Sequence, residues 1–500
     1  MPKQAQGPLL PIFAADAAEE PLFRQIYRRL RDAVLSGALL PGARLPSSRS
    51  LARELGVSRN TVVTALDELV AEGYLEPRVG SGTYVAAALP ENLLHTPPAS
   101  APASSPASLP AGPPPTPARP RSWEPDPILP FRAGVPALDR FPLAVWRRLQ
   151  ARRWRSLGSA ELHYGSPAGW KPLREAVAGY LRTARGVRCD AEQVMIVSSC
   201  QAAIDLAARL LLQPGERAWV EEPGYLGAVE ALRSRGAVPV PVPVDAEGLD
   251  VAAGRALAPD ARLAYVTPSC QYPLGVTLGL RRRLELLAWA AEAGAWILED
   301  DYDSEYRYAG RPLAALQGLD RPGAERVIYL GTFSKVMFPA LRIAYAVLPH
   351  QLAEPFARLR RYVDDHTSLP AQMVLHDFIA EGYFSAHVRR TRLCYAERQE
   401  ALLHSVSRHL GGLVEADPAP AGMQVVARLA PGLGIGDSAV AEAARRAGVM
   451  LLALSDCHAG PPLHRGLLLG YSGFPPEALD RAARRLADVI GKTAPRWTPA

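Results

Sequence analysis

Residues 295–310 read AWILEDDYDSEYRYAG, and residues 326–347 read RVIYLGTFSKVMFPALRIAYAV. Trp296, Ile297 and Leu298 make a short apolar run that closes on three acids, Glu299, Asp300 and Asp301. A second run, Val327 to Leu330, closes on Gly331, Thr332, Ser334 and Lys335, and a third begins just after Arg342. Short apolar runs ended by polar residues are the pattern of strands in a buried parallel sheet, where both faces are covered. In such sheets ligands sit beyond the carboxyl ends of the strands. A carboxylate, a lysine, two hydroxyls and an arginine are therefore expected to converge on one crevice. That set suits a cofactor with a phosphate, a basic ring nitrogen and an aldehyde.

Working outward, TFSKVMFPALRIAY and EDDYDSEY resemble the pyridoxal-phosphate (PLP) lysine and ring-nitrogen motifs of fold-type I aminotransferases. The wording is similar to that of the MocR/GabR subfamily of GntR-type bacterial regulators. Those proteins fuse a winged helix-turn-helix to an aminotransferase-like domain. The resemblance covers roughly residues 21–86 and 127–490. It implies a multi-domain chain, with an N-terminal winged helix-turn-helix and a C-terminal α/β fold-type I domain.

The chemistry of the second domain can be reasoned from its residues. A carboxylate at a pyridine nitrogen keeps the ring protonated and electron-withdrawing. Asp300 fits that place, with Tyr302 two residues on to reach the ring hydroxyl. Lys335 would form the Schiff base, its amine activated by desolvation and nearby cationic character. Thr332, Ser334 and Arg342 offer donors to a dianionic phosphate. In QVMIVSSCQAAIDLAARLLL a strand turns tightly into a helix, and Ser199, Cys200 and Gln201 lie at the helix start, where backbone N–H groups bind phosphate. The family's usual pattern there is a small residue followed by Ser or Thr, so Ser199-Cys200 is a variation. By resemblance Tyr225 stacks on the pyridine, and Tyr164 reaches the cofactor phosphate of a partner subunit, which implies a homodimer. LAYVTPSCQYPLGV matches the family's TPS-x-Q-[FY]-P-x-G loop, with Cys270 where histidine is frequent.

Bulk properties set the frame. Five hundred residues exceed what one hydrophobic core organises, so two or three domains are expected. A hydrophobic content of 48% excludes a mainly disordered chain, and a net charge of +6 does not by itself demand nucleic acid. Five scattered cysteines without a CxxC pair argue against a disulfide framework or a metal site and fit a reducing cytoplasm. The first twenty residues hold no sustained apolar stretch, and no run of eighteen apolar residues occurs, so neither an export signal nor a membrane span is expected.

Residues 21–86 are expected to read double-stranded DNA. PLFRQIYRRLRDAVLSGAL has Leu22, Ile26, Leu30, Ala33 and Val34 on one helical face, ended by Gly37 and Pro41-Gly42. Ser47 or Ser48 caps a second helix, Gly56 turns the chain, and Ser58 caps a third that buries Val62 or Val63, Leu66, Leu69 and Val70. Tyr74 to Val85 reads as a two-stranded wing turning at Gly80-Ser81-Gly82. LPSSRSLARELGVSRNTVVTALDELVAEGYL is similar to the GntR pattern, which implies DNA contacts from Arg49, Ser58, Arg59 and Thr61, with Gly80 at the wing tip. Residues 21–85 hold nine Arg against six Asp or Glu, so the basic surface must be local.

Ten of the thirty residues 91–120 are proline, so 87–126 is expected to be a semi-rigid linker. Residues 127–500 form the PLP-binding domain, with a large part near 165–350 and a small part near 351–495. The family's carboxylate-binding arginine lies in a strand of the form x-R-L-G-[YF]. Here the words are Gly466-Leu467-Leu468-Leu469-Gly470-Tyr471, so Leu468 holds the arginine's place. Arg465, three residues earlier, points to the opposite face of a regular strand. The expectation is a PLP-binding, cytoplasmic transcription regulator responding to an amine, an amino acid or PLP, with slow or absent transamination. The alternative is a working aminotransferase that carries a DNA-binding module.

Overall fold

A computed structural model describes residues 20–78, 80–87, 127–308, 314–321 and 323–493. The expected linker, 87–126, therefore lies outside the described residues apart from Ala87. The chain divides into two compact units, each built on its own core.

The first unit holds three helices, α1 (Leu22–Leu35), α2 (Ser48–Leu55) and α3 (Arg59–Ala71), and a hairpin of β1 (Leu75–Arg78) and β2 (Gly82–Val85). Ile26, Leu30, Leu51, Val62, Leu66, Leu69, Leu75 and Val85 meet in one cluster. Leu22, expected on the buried face of α1, is instead 56% exposed at the first position of the helix. Of the two candidate caps for α2 it is Ser47 that serves: its hydroxyl accepts from the Ser50 N–H at 3.2 Å. Gly56 takes φ 64°, the left-handed conformation that closes α2 and that a side chain would strain. In α3 Val62 and Ala65 go inward, while Val63 and Val70 are only half-buried.

The second unit is a three-layer α/β/α lobe with a smaller lobe at its carboxyl side. Its main sheet has eight strands in the order β3 (Val194–Val197), β10 (Ala344–Val347), β9 (Val327–Thr332), β8 (Trp296–Asp301), β7 (Leu263–Val266), β4 (Arg217–Glu222), β5 (Val238–Asp245) and β6 (Gly248–Leu249). β4, β5, β7, β8 and β9 run parallel. β10 departs from the all-parallel expectation: it pairs antiparallel with both β9 and β3. That reversal has a positional consequence. The start of β10 lies beside the end of β9, with Ala344 opposite Thr332, so Arg342 reaches the same sheet edge as the residues that follow β8 and β9.

Alternation along the strands supplies both faces of the sheet with apolar side chains. One face packs on the helices Cys200–Leu211, Leu226–Ser234 and His350–Arg361, burying Val197, Val220, Leu298 and Leu330. The other carries Ile196, Tyr329 and Tyr345 against the helices Leu143–Ser156, Lys171–Arg185 and Leu369–Ala380. The smaller lobe has a four-stranded antiparallel sheet, β11 (Val414–Ala416), β12 (Gln424–Leu429), β14 (Leu467–Gly470) and β13 (Leu452–Ala453), covered by the long helix Tyr383–Leu410 and the helix Pro476–Thr493. Its core draws on Tyr395 and later residues, but also on Phe131, Ala137 and Tyr306. The expected start of the small part near residue 351 is too early, since Phe356, Val374 and Phe378 pack with the large lobe.

Candidate functional site

The pleat of β8 sorts its three acids. Glu299 and Asp301 face one side and Asp300 the other. Glu299 accepts from the backbone N–H groups of Leu316 and Gln317 at 2.7 and 2.8 Å, so it caps a short helix. Asp301 accepts from Arg185 Nε at 2.8 Å and Tyr329 Oη at 2.5 Å, inside the sheet-to-helix layer. Asp300 faces the helix Cys200–Leu211. Its Oδ2 accepts from Tyr265 Oη at 2.8 Å, and its Oδ1 is buried with no hydrogen-bond partner. Desolvation pushes the Asp300 carboxyl up to about 6, opposed by the Tyr265 hydroxyl. A buried carboxylate oxygen without a donor is costly. The protonated nitrogen of a pyridine ring supplies the donor that Oδ1 lacks, so the acid fits the ring of PLP.

Lys335 follows β9, and its Nζ donates to the carbonyl oxygen of Gly134 at 2.9 Å. Burial lowers its ammonium from the usual range, offset by the nearby Asp303 carboxylate and reinforced by Arg132. A more readily deprotonated amine is the form that attacks an aldehyde. Gly134 has φ +70°, and a Cβ there would come within 2.6 Å of Lys335 Nζ. Its lack of a side chain thus keeps the lysine's position open.

The phosphate candidates stand at the same edge. Ser199 is the N-cap of the helix Cys200–Leu211, accepting from the Ala202 N–H at 3.1 Å, and its hydroxyl hydrogen stays available to an acceptor. The N–H groups of Cys200 and Gln201 open that helix and have no intrahelical partner by geometry. Thr332 Oγ1 accepts from the Ser334 N–H at 3.0 Å, which ties the turn that carries Lys335. Arg342 is exposed, on a left-handed backbone at φ 53°. Tyr225 donates to Gln201 Oε1 at 3.0 Å, and its ring lies 6.4 Å from that of Tyr265. Tyr302 sits edge-on to Tyr272 with its hydroxyl 3.9 Å from Cys270 Sγ. Tyr164 is 79% exposed, with the His163 and His366 rings beside its own.

In the first unit the opening of α3 is presented outward. Ser58 Oγ accepts from the Thr61 N–H at 3.1 Å and shares a 2.7 Å hydrogen bond with the Thr61 hydroxyl, so both expected contact residues also build the cap. Arg59 is exposed, its Nε 3.4 Å from Ser48 Oγ, and Arg49 is exposed on α2. Gly80 takes φ +73° at the hairpin turn, and Arg78 lies over the Tyr84 ring at 4.5 Å.

Comparison with known proteins agrees with this geometry. Residues 22–85 match the family described as bacterial regulatory proteins, gntR family, and residues 126–486 match aminotransferase class I and II. The chain is 44% identical over 473 residues to the probable rhizopine catabolism regulatory protein MocR of Rhizobium meliloti, covering 95% of this chain and 94% of that one. The chain is a MocR-type regulator of the GntR family. The pyridoxine biosynthesis regulator PdxR of Corynebacterium glutamicum is 32% identical over 468 residues, covering 93% of this chain and 95% of that one. Among solved structures, LysN, an α-aminoadipate aminotransferase from Thermus thermophilus complexed with N-(5'-phosphopyridoxyl)-L-leucine, is 31% identical with a TM-score of 0.67, covering 73% of this chain and 92% of that one. The MocR-type regulator is thus a PLP-binding, DNA-binding protein with an aminotransferase-like domain.

Sequence reading did not single out four residues of this MocR-type site. Tyr265, the partner of Asp300, sits in an apolar strand and reads as core. Gly134 lies two hundred residues from Lys335 in the chain. Arg185 neutralises Asp301 from the last turn of its helix, beyond any motif residue. Asp303, buried beside Gly422 and Cys270, reads as one more acid in a charged run. Only the last had a local signal, being acidic just after a buried strand. Leu468 is fully buried in β14, whereas Arg465 is exposed before the strand begins. No helix among the described residues is long and apolar enough to cross a membrane, and no metal-holding cluster of His, Cys, Asp or Glu occurs among them.

Proposed function

We propose that Lys335 holds PLP covalently and that a small amine, an amino acid or PLP itself acts as effector through this site, changing operator affinity. The observation that carries the reading is Asp300, whose buried Oδ1 lacks a donor on the sheet edge where Lys335 also ends. Bound PLP supplies an electrophilic carbon for amines. Around it Asp300 holds the ring proton, Tyr225 covers the ring, and Tyr302 approaches the ring hydroxyl. Ser199, the Cys200 and Gln201 N–H groups, Thr332, Ser334 and Arg342 receive the phosphate. Exposed Tyr164 completes the site of a second subunit in a homodimer. Arg49, Ser58, Arg59 and Thr61, with Gly80 at the wing, meet the operator, the opening of α3 entering the major groove.

Transamination of α-amino acids is expected to be slow or absent in the cytoplasmic protein. An aminotransferase fixes the substrate's α-carboxylate with a bidentate arginine, which sets orientation as well as charge. Leu468 provides neither. The test is operator titration with PLP-loaded and PLP-free protein, with and without candidate amines, beside Lys335→Ala. Effector-dependent changes in affinity that vanish in Lys335→Ala support the reading. A response that persists unchanged in Lys335→Ala refutes it, and rapid conversion of amino acids by the wild type would restore the aminotransferase alternative.

A further inference from the structure

Val425 and Ala427 of β12 point into the core of the smaller lobe, so Gln424, Val426 and Arg428 point the other way. That face closes a cavity of about 290 Å³ against the turn that follows Cys270 in the large lobe, where Leu274 and Val276 form the opposite wall. The turn is fixed by its own hydrogen bonds. The Gln271 N–H donates to the Val276 carbonyl at 2.8 Å, the Gly275 N–H to the Gln271 carbonyl at 2.7 Å, and the Leu274 N–H to Gln271 Oε1 at 3.0 Å. Cys270 also lines the cavity, and its Sγ lies 3.9 Å from Tyr302 Oη, so an occupant would stand one side chain away from the edge of the cofactor site. The residues assigned to the cofactor do not themselves line it.

Two observations say what would fill this space. The first is Gln424, which is only 8% exposed, yet its carboxamide has no hydrogen-bond partner among the described residues. A buried amide without partners is costly, and it offers both an N–H donor and a carbonyl acceptor. The second is charge. The charged side chains on the lining are Arg428 and Asp417, which pair with each other at 2.7 Å and are both more than half exposed. Neither charge is left over for a ligand. The remaining walls, at Leu274, Val276 and Val426, are apolar. The volume lies at the lower end for small-molecule sites.

We propose that this cavity is a second ligand site, which takes an uncharged amide on a compact apolar body and pairs it with Gln424. Lactams and primary carboxamides share that chemistry, since each presents an N–H and a carbonyl side by side. The ligand N–H donates to Gln424 Oε1 and the ligand carbonyl accepts from Gln424 Nε2. The buried carboxamide gains the partners it lacks, and the apolar body meets Leu274, Val276 and Val426. A carboxylate would enter an apolar space whose only guanidinium is already paired. Binding is non-covalent and does not depend on Lys335 being the cofactor lysine.

The test uses the PLP-loaded full-length protein and three probes of similar size: δ-valerolactam, cyclohexanone and valerate. Binding is read by calorimetry and by ligand-detected NMR. The lactam differs from the ketone by a ring N–H in place of a methylene. It should bind about tenfold more tightly than the ketone, which leaves the Gln424 carbonyl without a donor, and than valerate. Gln424→Leu should erase the lactam's advantage over the ketone. Val276→Phe, on the half-buried turn, fills the cavity and should abolish lactam binding; if either variant fails to fold, the other and the wild-type panel still decide. Lys335→Ala should bind the lactam as the wild type does, so failure of the cofactor reading leaves this result standing. Equal affinities for lactam and ketone, or no saturable lactam binding, would overturn the proposal. Tightest binding by valerate would overturn the uncharged assignment and make Arg428 the receiver. Lactam binding that survives Val276→Phe, or that disappears in Lys335→Ala, would put the ligand outside this cavity and overturn the proposal as well.

Discussion

Removing the charge of Asp300 should abolish one component of the pH dependence of PLP binding. In the cofactor-free site, desolvation raises the Asp300 carboxyl from 3.8 to about 6. A folded-state value above the unfolded one means that its stabilising contribution is complete below the unfolded value and is lost as pH rises through about 6. The difference of about two units corresponds to roughly 3 kcal/mol carried by the empty site near neutrality. A protonated ring nitrogen at Oδ1 gives the ionised form its partner and relieves that penalty. Below about 6 the carboxyl must first lose its proton. Affinity should therefore rise with pH and level off above that point. At pH 5, one unit below, the loss is about 1.4 kcal/mol, or roughly tenfold in Kd.

The clean measurement compares Lys335→Ala with Lys335→Ala/Asp300→Asn between about pH 5 and 8, titrating PLP by equilibrium dialysis. Without the lysine no covalent bond adds its own pH dependence. Its loss also removes a nearby cation, so the Asp300 midpoint should shift upward. Glu299, pushed to about 7 by burial, and the cofactor phosphate titrate alike in both proteins and cancel in the ratio, whereas Glu221, pushed to about 7 by burial with a smaller contribution from Asp300, shifts slightly downward in the Asp300→Asn protein. The ratio of the two dissociation constants should change by about tenfold across the acidic limb. Parallel pH profiles would refute the pairing of Asp300 with the ring nitrogen.

Other outcomes follow from named contacts. Lys335→Ala should abolish the visible cofactor band and the borohydride-fixed adduct; an adduct that survives would move the attachment to another lysine. Gly134→Ala combines a positive φ with a Cβ 2.6 Å from Lys335 Nζ, and should cut covalent PLP incorporation while Tm shifts little, as measured by absorbance and thermal melts on one sample. Arg185→Met strands the buried Asp301 carboxylate and should lower stability by about 3–5 kcal/mol in denaturant melts. Arg59→Ala should weaken operator binding by about 1–3 kcal/mol if it reads a base edge, or reduce the salt slope by about one unit if it meets phosphate. Superimposable titrations of Arg59→Ala and wild type would remove Arg59 from the interface.

The sequence by itself carried the fold class, a winged helix-turn-helix followed by an aminotransferase-like domain. Apolar runs closed by polar residues marked strand ends, and caps and glycines marked the helix-turn-helix, because both are local signals set by burial period and backbone conformation. That Leu468 stands where the family carries an arginine came from the resemblance alone. Three things needed the tertiary structure. The direction of β10 is set by pairing with strands distant in sequence, and it carries Arg342 to the site edge. The roles of Glu299, Asp300 and Asp301 depend on which partners each sheet face meets: backbone N–H groups, Tyr265 and Arg185 respectively. Gly134 and Asp303 gain their meaning from long-range packing, one beneath Lys335 and the other enclosed by Cys270 and Gly422. A residue's type fixes what its atoms can donate or accept, but only the packed fold decides which of those atoms are left without a partner for a ligand to satisfy.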